Sequence, residues 1–361
     1  MASVVFYPLI LFICSLYAYA GNKYEKKLSN VYLLIFLIIF SFIFGVRVNF
    51  GTDQIVYQHM YEYQGVDLLR CEPIFVKLNQ FLYKYHFSTA FYFCVLSFLE
   101  IFFFYLTVKN EKLNICISFI LFYSLYIFHY VNISRQAIAM NICLCSFYYF
   151  DCKKYIKWGI LIFLAGGFHI SSYSLFLMTP LLYFFAHKKI PNFIFYLFLI
   201  IAFVMFERLY DLILETVFIP FHLITGGKYK FIEKFLSFKI QLGSGLGVRL
   251  KILGYLCMLP FLLDDSKVSL RNRFYFLIFY FGLIGELISS VNMNLQRVFL
   301  SYTLIQIIIL SKNLCNLKKN KISELKSFLF CFGMIILFFL FFLNSLKGIN
   351  NTSYYTWCFD F

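Results

Sequence analysis

Apolar runs, many of them about as long as a bilayer is thick, divide this chain from end to end, and no other feature constrains its fold as much. Twelve such runs lie between charged breaks, roughly at 2–20, 30–46, 88–108, 113–131, 133–150, 156–168, 170–186, 192–206, 250–263, 274–291, 297–310 and 328–346. A helix needs about 20 predominantly apolar residues to span a bilayer, so several of these runs are short. Composition points the same way: AVILMFWYC residues make up 62% of the 361 and charged residues 14%, against about 25% in soluble domains. A water-soluble fold of this size lacks the interior to hide so much apolar surface. Disorder, a coiled coil, collagen and a disulfide scaffold are excluded by the same figures. Strands of alternating polarity long enough for a barrel are absent. The first run is not followed by a convincing small-residue cleavage site and is expected to be a span. The expected fold is all-α: a single polytopic integral membrane domain over residues 1–361 with about 12 transmembrane helices, some short or broken. Gly166-Gly167-Phe168-His169 splits the runs 156–168 and 170–186, which predicts a broken helical hairpin. Non-helical backbone at that depth has to be sheltered by protein or to line a wet cavity.

The net charge of +15 is spread in short clusters such as Lys26-Lys27, Lys153-Lys154, Lys188-Lys189 and Lys318-Lys319. Scattered between apolar runs, these clusters read as membrane topology and not as a nucleic-acid footprint. Eighteen of the 32 Lys and Arg fall in the connections 21–29, 109–112, 151–157, 187–191, 264–273 and 311–327. The positive-inside rule assigns that set to the cytoplasm, which puts both termini and two long hydrophilic segments, about 47–87 and 207–249, on the outer face. No cytoplasmic connection is large enough for a nucleotide site, and no GxxxxGK[ST] occurs, so the working face is expected outside. HExxH, DxD, CxxC and Cys/His metal spacings are also missing; neither a metal nor another cofactor is expected. The eleven cysteines lie mostly inside apolar runs and read as packing residues. Cys71 and Cys358 fall outside the membrane in this topology, with nothing in the sequence to pair them.

Candidate chemistry gathers at the outer ends of the runs. The stretch Arg47-Val-Asn-Phe-Gly51-Thr52-Asp53-Gln-Ile-Val-Tyr57 offers a planar cation, a glycine for a tight turn, and an Asp that can cap the next helix or act as a base. Its bland alternative is a helix cap beside an interfacial arginine. Ser134-Arg135-Gln136-Ala137 opens an otherwise apolar run, which is costly unless it faces a cavity or an anion, or unless Arg135 snorkels to the headgroups. His169 stands at the glycine break. Gly243, Gly245 and Gly247 precede Arg249, an arrangement that suits an amide-rich loop near a phosphate better than a dinucleotide fold. Arg297 follows Asn292-Met-Asn294. The four arginines Arg47, Arg135, Arg249 and Arg297 share the outer side and would suit a diphosphate held at the membrane surface with its lipid tail in the hydrocarbon. Tyr57, Tyr61, Tyr63, Tyr354, Tyr355 and Trp357 form an interfacial aromatic belt, some of which could stack on sugars. Glu100 and Glu286 sit inside runs; with no matching intramembrane Lys evident, both are expected protonated or bonded to Tyr or Ser.

Three of these motifs, Arg-x-x-x-Gly-Thr-Asp-x-x-x-Tyr at 47–57, Ser-Arg-Gln-Ala at 134–137 and Phe-His-x-Ser at 168–171, occur in the order and approximate spacing of the EpsG family. The chain resembles that family of polytopic exopolysaccharide and O-antigen proteins, which includes Wzy-type polymerases. Gln54-Ile55 departs from the aromatic expected after the Asp, and the last third matches no pattern. The resemblance implies a glycosyltransferase-type polymerase at the outer face of the bacterial inner membrane. It would move a glycan from undecaprenyl diphosphate onto an incoming lipid-linked repeat unit, without metal or nucleotide. It further implies Arg47, Arg135, Arg249 and Arg297 on the diphosphates, His169 or Asp53 as base, and Gly51, Thr52, Tyr57 and Gln136 orienting substrate. A flippase and a chain-length regulator would be its partners. A lipid-linked oligosaccharide flippase or other transporter is the alternative, although no internal repeat is found; a membrane acyltransferase is a third class.

Overall fold

In the computed structural model, residues 3–23, 26–48, 51, 53–213, 215–216, 246–316, 324–347 and 356–357 are described. Helices cover all twelve apolar runs. In chain order they are α1 (Ser3–Lys23), α2 (Lys26–Gly45), the strand β1 (Arg47–Val48), α3 (Gln54–Tyr63), α4 (Val66–Leu69), α5 (Pro73–Lys84), α6 (Thr89–Asn110), α7 (Ile115–Tyr130), α8 (Ser134–Asp151) and α9 (Tyr155–Gly166). After a 3-10 turn at Ile170–Tyr173 come α10 (Ser174–Ala186), α11 (Asn192–Ile213), α12 (Leu246–Ser266) and α13 (Leu270–Ile288). A second 3-10 turn, Ser289–Val291, leads to α14 (Met293–Thr303), α15 (Gln306–Asn316), α16 (Glu324–Lys347) and the strand β2 (Thr356–Trp357). Five segments are long and apolar enough to cross a membrane: Val5–Lys23, Thr89–Asn110, Leu246–Ser266, Leu295–Cys315 and Glu324–Leu346. Shorter apolar helices account for Asn30–Gly45, Ile115–Tyr130, Tyr155–Gly166, Ile170–Ala186 and Asn192–Ala202. The chain is thus a multi-pass, all-α membrane protein.

Helix boundaries follow local chemistry. Ser88, Asn114 and Ser269 stand just before α6, α7 and α13, and each side chain accepts an amide from the first turn, at 3.2, 3.1 and 3.0 Å. Glu72 is extended (ψ 148°) ahead of Pro73, which opens α5 where its missing N–H is not needed. Lys112 and Lys153 turn the chain with left-handed φ of 54° and 59° just after α6 and α8. Large apolar side chains face outward, as they should in hydrocarbon and should not in water: Leu177 is 73% exposed, Phe163 64% and Phe328 65%.

Two compact units emerge: Met1–Thr179 with Ile307–Lys319 and Phe341–Phe361, and Pro180–Gln306 with Asn320–Leu340. In the first, α6 packs between α2 and α8, while α1 packs on α2 and α7. Helix α8 is buried along most of its length from Ser134 to Phe147, the mark of a helix inside a bundle. In the second unit, α13 packs against α11, α12 and α14. The α2–α6 approach is close enough to demand glycine: a Cβ on Gly45 would sit 2.6 Å from Cys94 Cα. Gly45→Val should therefore cost about 1–3 kcal/mol by overpacking, read as a lower thermal midpoint of the detergent-purified protein. Gly65→Ala, with nothing within 4 Å of its Cβ, should stay within about 0.5 kcal/mol of wild type.

Candidate functional site

Three chain segments meet at the start of α8. Gly51 takes a left-handed φ of 98°, and a Cβ there would press on the Val131 carbonyl at 2.8 Å and Asn132 Oδ1 at 2.9 Å. The glycine turn thus lies flat against the turn that leads into Ser134 and Arg135. Arg47, 3% exposed, donates from Nη2 to Ser134 Oγ at 3.4 Å and lies 5.8 Å from the Phe93 ring. Its carbonyl accepts from Gln54 Nε2, and its backbone pairs antiparallel with Trp357 in the two-residue β1–β2 ladder. Asp53 holds the N-cap position of α3, but its side chain makes no capping bond. That removes the simplest structural role expected for it.

Arg135 is the centre of the cluster. Its Nη1 donates to Glu72 Oε2 at 2.7 Å, and the guanidinium stacks 5.3 Å from Phe75 and 5.8 Å from Tyr57. The ion pair outweighs the rings: a charge-assisted bond contributes about 1.5–3 kcal/mol, a partly exposed cation–π contact about 0.5–1 kcal/mol. Burial raises the Tyr57 phenol above its ordinary value although Arg135, hydrogen-bonded to it, pulls it down. Gln136, next on the helix, is buried. Arg135 Nε is buried without a hydrogen-bond partner among the described residues.

Glu72 carries the cluster across to the glycine break. While Oε2 holds Arg135, Oε1 accepts the Ile170 amide at 3.0 Å. The Gly167 carbonyl in turn accepts the Ile74 and Phe75 amides at 3.0 and 3.2 Å. Gly167 leaves no room for a side chain, since a Cβ would run into Ile74. His169, adjoining this junction, is half-buried with Nδ1 2.7 Å from Ser171 Oγ. The break is therefore real, and the helical hairpin turns through a 3-10 segment instead of running on. The expected residues Arg47, Gly51, Tyr57, Arg135, Gln136 and His169 all belong to this one unit. Thr52 lies outside the described residues, as do Cys358, Tyr354 and Tyr355. Tyr61 is not presented to a ligand: its ring stacks on Tyr92 at 4.4 Å and its hydroxyl donates to the Phe87 carbonyl at 2.6 Å.

Arg249 and Arg297 belong to the other unit. Arg249 is exposed in the first turn of α12 and Arg297 half-buried on α14. Gly247 is helical there, not part of a loop, while Gly243 and Gly245 lie outside the described residues. Beside them Lys251 pairs with Glu286, and Gln296 Nε2 donates to the same Glu286 Oε1 at 3.5 Å. The expectation that Glu286 has no cation is thus corrected. For Glu100 the expected bond to a hydroxyl is present, from Ser134, with Arg47 within electrostatic reach. Sequence reasoning missed Glu72, Lys251 and Gln296. Only Glu72 left a trace, an acid directly before a proline in an outer segment.

The EpsG family profile matches residues 30–357, and the chain belongs to the EpsG family. Membership suggests an enzyme with a polysaccharide polymerase-type role. No curated protein and no solved structure matches the chain.

Removing the Glu72 carboxylate strips both Arg135 and the Ile170 amide of an acceptor. Glu72→Ala should speed hydrogen exchange at the Ile170 amide by about 10-fold, the worth of one such bond, and lower the thermal midpoint. Asp67→Ala, which breaks an ion pair with Arg70 whose side chains are 82% and 77% exposed, should change stability by less than about 1 kcal/mol.

Proposed function

We propose that this EpsG-family protein is a glycan polymerase of the bacterial inner membrane, acting at the outer face on undecaprenyl-diphosphate-linked oligosaccharides. The reading takes all twelve apolar runs as crossings, with the lysine-rich connections in the cytoplasm. The observation that carries it is the junction at Glu72, which ties a cation at the mouth of a buried helix to a histidine-bearing helix break. A buried guanidinium Nε–H of the kind found at Arg135 suits a phosphate oxygen, and Arg47 stands one hydroxyl away at Ser134.

In the proposed reaction a hydroxyl at the non-reducing end of the incoming repeat unit attacks the anomeric carbon of the growing glycan. The new glycosidic C–O bond forms as the bond from that carbon to the undecaprenyl diphosphate oxygen breaks. The hydroxyl proton passes to His169, and the leaving diphosphate carries away the electron pair. Arg47 and Arg135, with Arg249 and Arg297 as further candidates, hold the diphosphates and stabilise the charge that builds on the leaving one. The 2.7 Å contact between His169 Nδ1 and Ser171 Oγ fixes the orientation of the imidazole for that role. Asp53, Gly51, Thr52, Tyr57 and Gln136 orient Arg47 and the acceptor. The donor is already activated, so the reaction calls on neither metal nor nucleotide. A chain-length regulator and a flippase are the proposed partners.

The buried Lys251–Glu286 pair favours a second reading, a flippase for lipid-linked oligosaccharide, because intramembrane ion pairs are what transporters build their paths from. One deletion separates the two. Loss of a polymerase should leave single repeat units on the surface lipid, whereas loss of a flippase leaves none. Arg135→Ala and His169→Ala should each reproduce the single-unit pattern at normal protein level, with long chains reduced by about 100-fold or more. Arg135→Lys should not rescue, because an ammonium lacks the planar fork. Long chains of normal abundance in both alanine variants would refute the site.

A further inference from the structure

A second feature, wholly within the unit built on α13, has no part in the proposed reaction. Where the C-terminal end of α12 meets the N-terminal ends of α11 and α13 lies a cavity of about 300 Å³. Its walls carry Lys188, Lys189, Lys267 and Arg273, and no Asp or Glu is among the residues that line it. Nearby Asp264 is held by Lys326 and at 3.5 Å by Lys267, which leaves Lys188, Lys189 and Arg273 as the cavity cations with no carboxylate partner among the described residues; Asp265 accepts from Asn272 at 3.1 Å. Arg273 is held in place by the Ala186 carbonyl at 3.4 Å. Between the cations the wall is apolar, with Phe195 and Phe276. Just outside, Phe184 and Phe193 turn 56% and 64% of their surface outward.

Positive connections are common in membrane proteins, but they usually extend into water as a fringe. Here they converge on one concavity with an aromatic floor and apolar side chains at its lip. We propose that this cavity binds a phosphate-bearing anion, and that its occupant is the headgroup phosphate of an anionic phospholipid whose acyl chains lie against Phe184 and Phe193. The volume suits a headgroup and not a whole lipid, since small-molecule sites start at about 300 Å³. With the lysine-rich connections in the cytoplasm, that lipid would come from the inner leaflet.

The test uses the full chain purified in detergent and compares retention of phosphatidylglycerol and phosphatidylcholine by native mass spectrometry. Two exposed lysine pairs receive the same change: Lys188→Gln/Lys189→Gln at the cavity and Lys153→Gln/Lys154→Gln away from it. Wild type should prefer phosphatidylglycerol, and the cavity pair should weaken its retention by about 10- to 30-fold. The control pair should change it less than about 2-fold. Equal loss from both pairs, or no preference between the lipids, overturns the lipid assignment. Inorganic phosphate is then the second arm. If it raises the thermal midpoint of wild type and not of the cavity variant, the phosphate site stands with a free anion as its occupant. If it protects neither or both, the site is refuted.

Discussion

Hydrocarbon offers no partner to a backbone amide or carbonyl, and everything distinctive in this protein follows from how it meets that demand. Through most of the chain helices satisfy it internally. At Gly166-Gly167 the helix stops, and a carbonyl there needs a donor. It finds two in the first turn of α5, whose opening amides have no helical partner of their own. Each end repairs the other. The same contact brings Glu72, the residue just before α5, within reach of the Ile170 amide. Arg135 then has a carboxylate to meet, and the candidate site exists because the helix break had to be sheltered.

Buried carboxyls are met differently in the two units. Glu100 is bonded by Ser134 with Arg47 within electrostatic reach, whereas Glu286 takes Lys251 and Gln296. Such pairs add little net stability, because desolvation offsets much of the attraction. Their effect is on specificity: a helix that slips its register strands a charge in a medium that cannot hydrate it. The pairs therefore act as pins that select which helix ends meet, while aromatic and aliphatic contacts fill the space between.

Much of this was legible beforehand. Apolar run length located the helices, and the double glycine marked the broken hairpin. The motifs at 47–57, 134–137 and 168–171 also signalled that they belong together, through their resemblance to a family. What stayed hidden was every partner supplied from a distance. Glu72 and Arg135 lie 63 positions apart and Lys251 and Glu286 35 apart, and no periodicity encodes such pairs. Glu286 looked orphaned because its cation, Lys251, stands near the start of another helix, where a positive charge reads as topology. The partner of Tyr61 was hidden in the same way, since Tyr92, which stacks on its ring, arrives on α6.

The small ladder between Arg47-Val48 and Thr356-Trp357 bears on timing. A strand edge made early in synthesis has to wait for a partner encoded about three hundred residues later. By then the ribosome has delivered every helix in between, so the backbone around Arg47 is paired only after them. The setting of Arg47 therefore depends on a contact that no stretch of nearby sequence can supply.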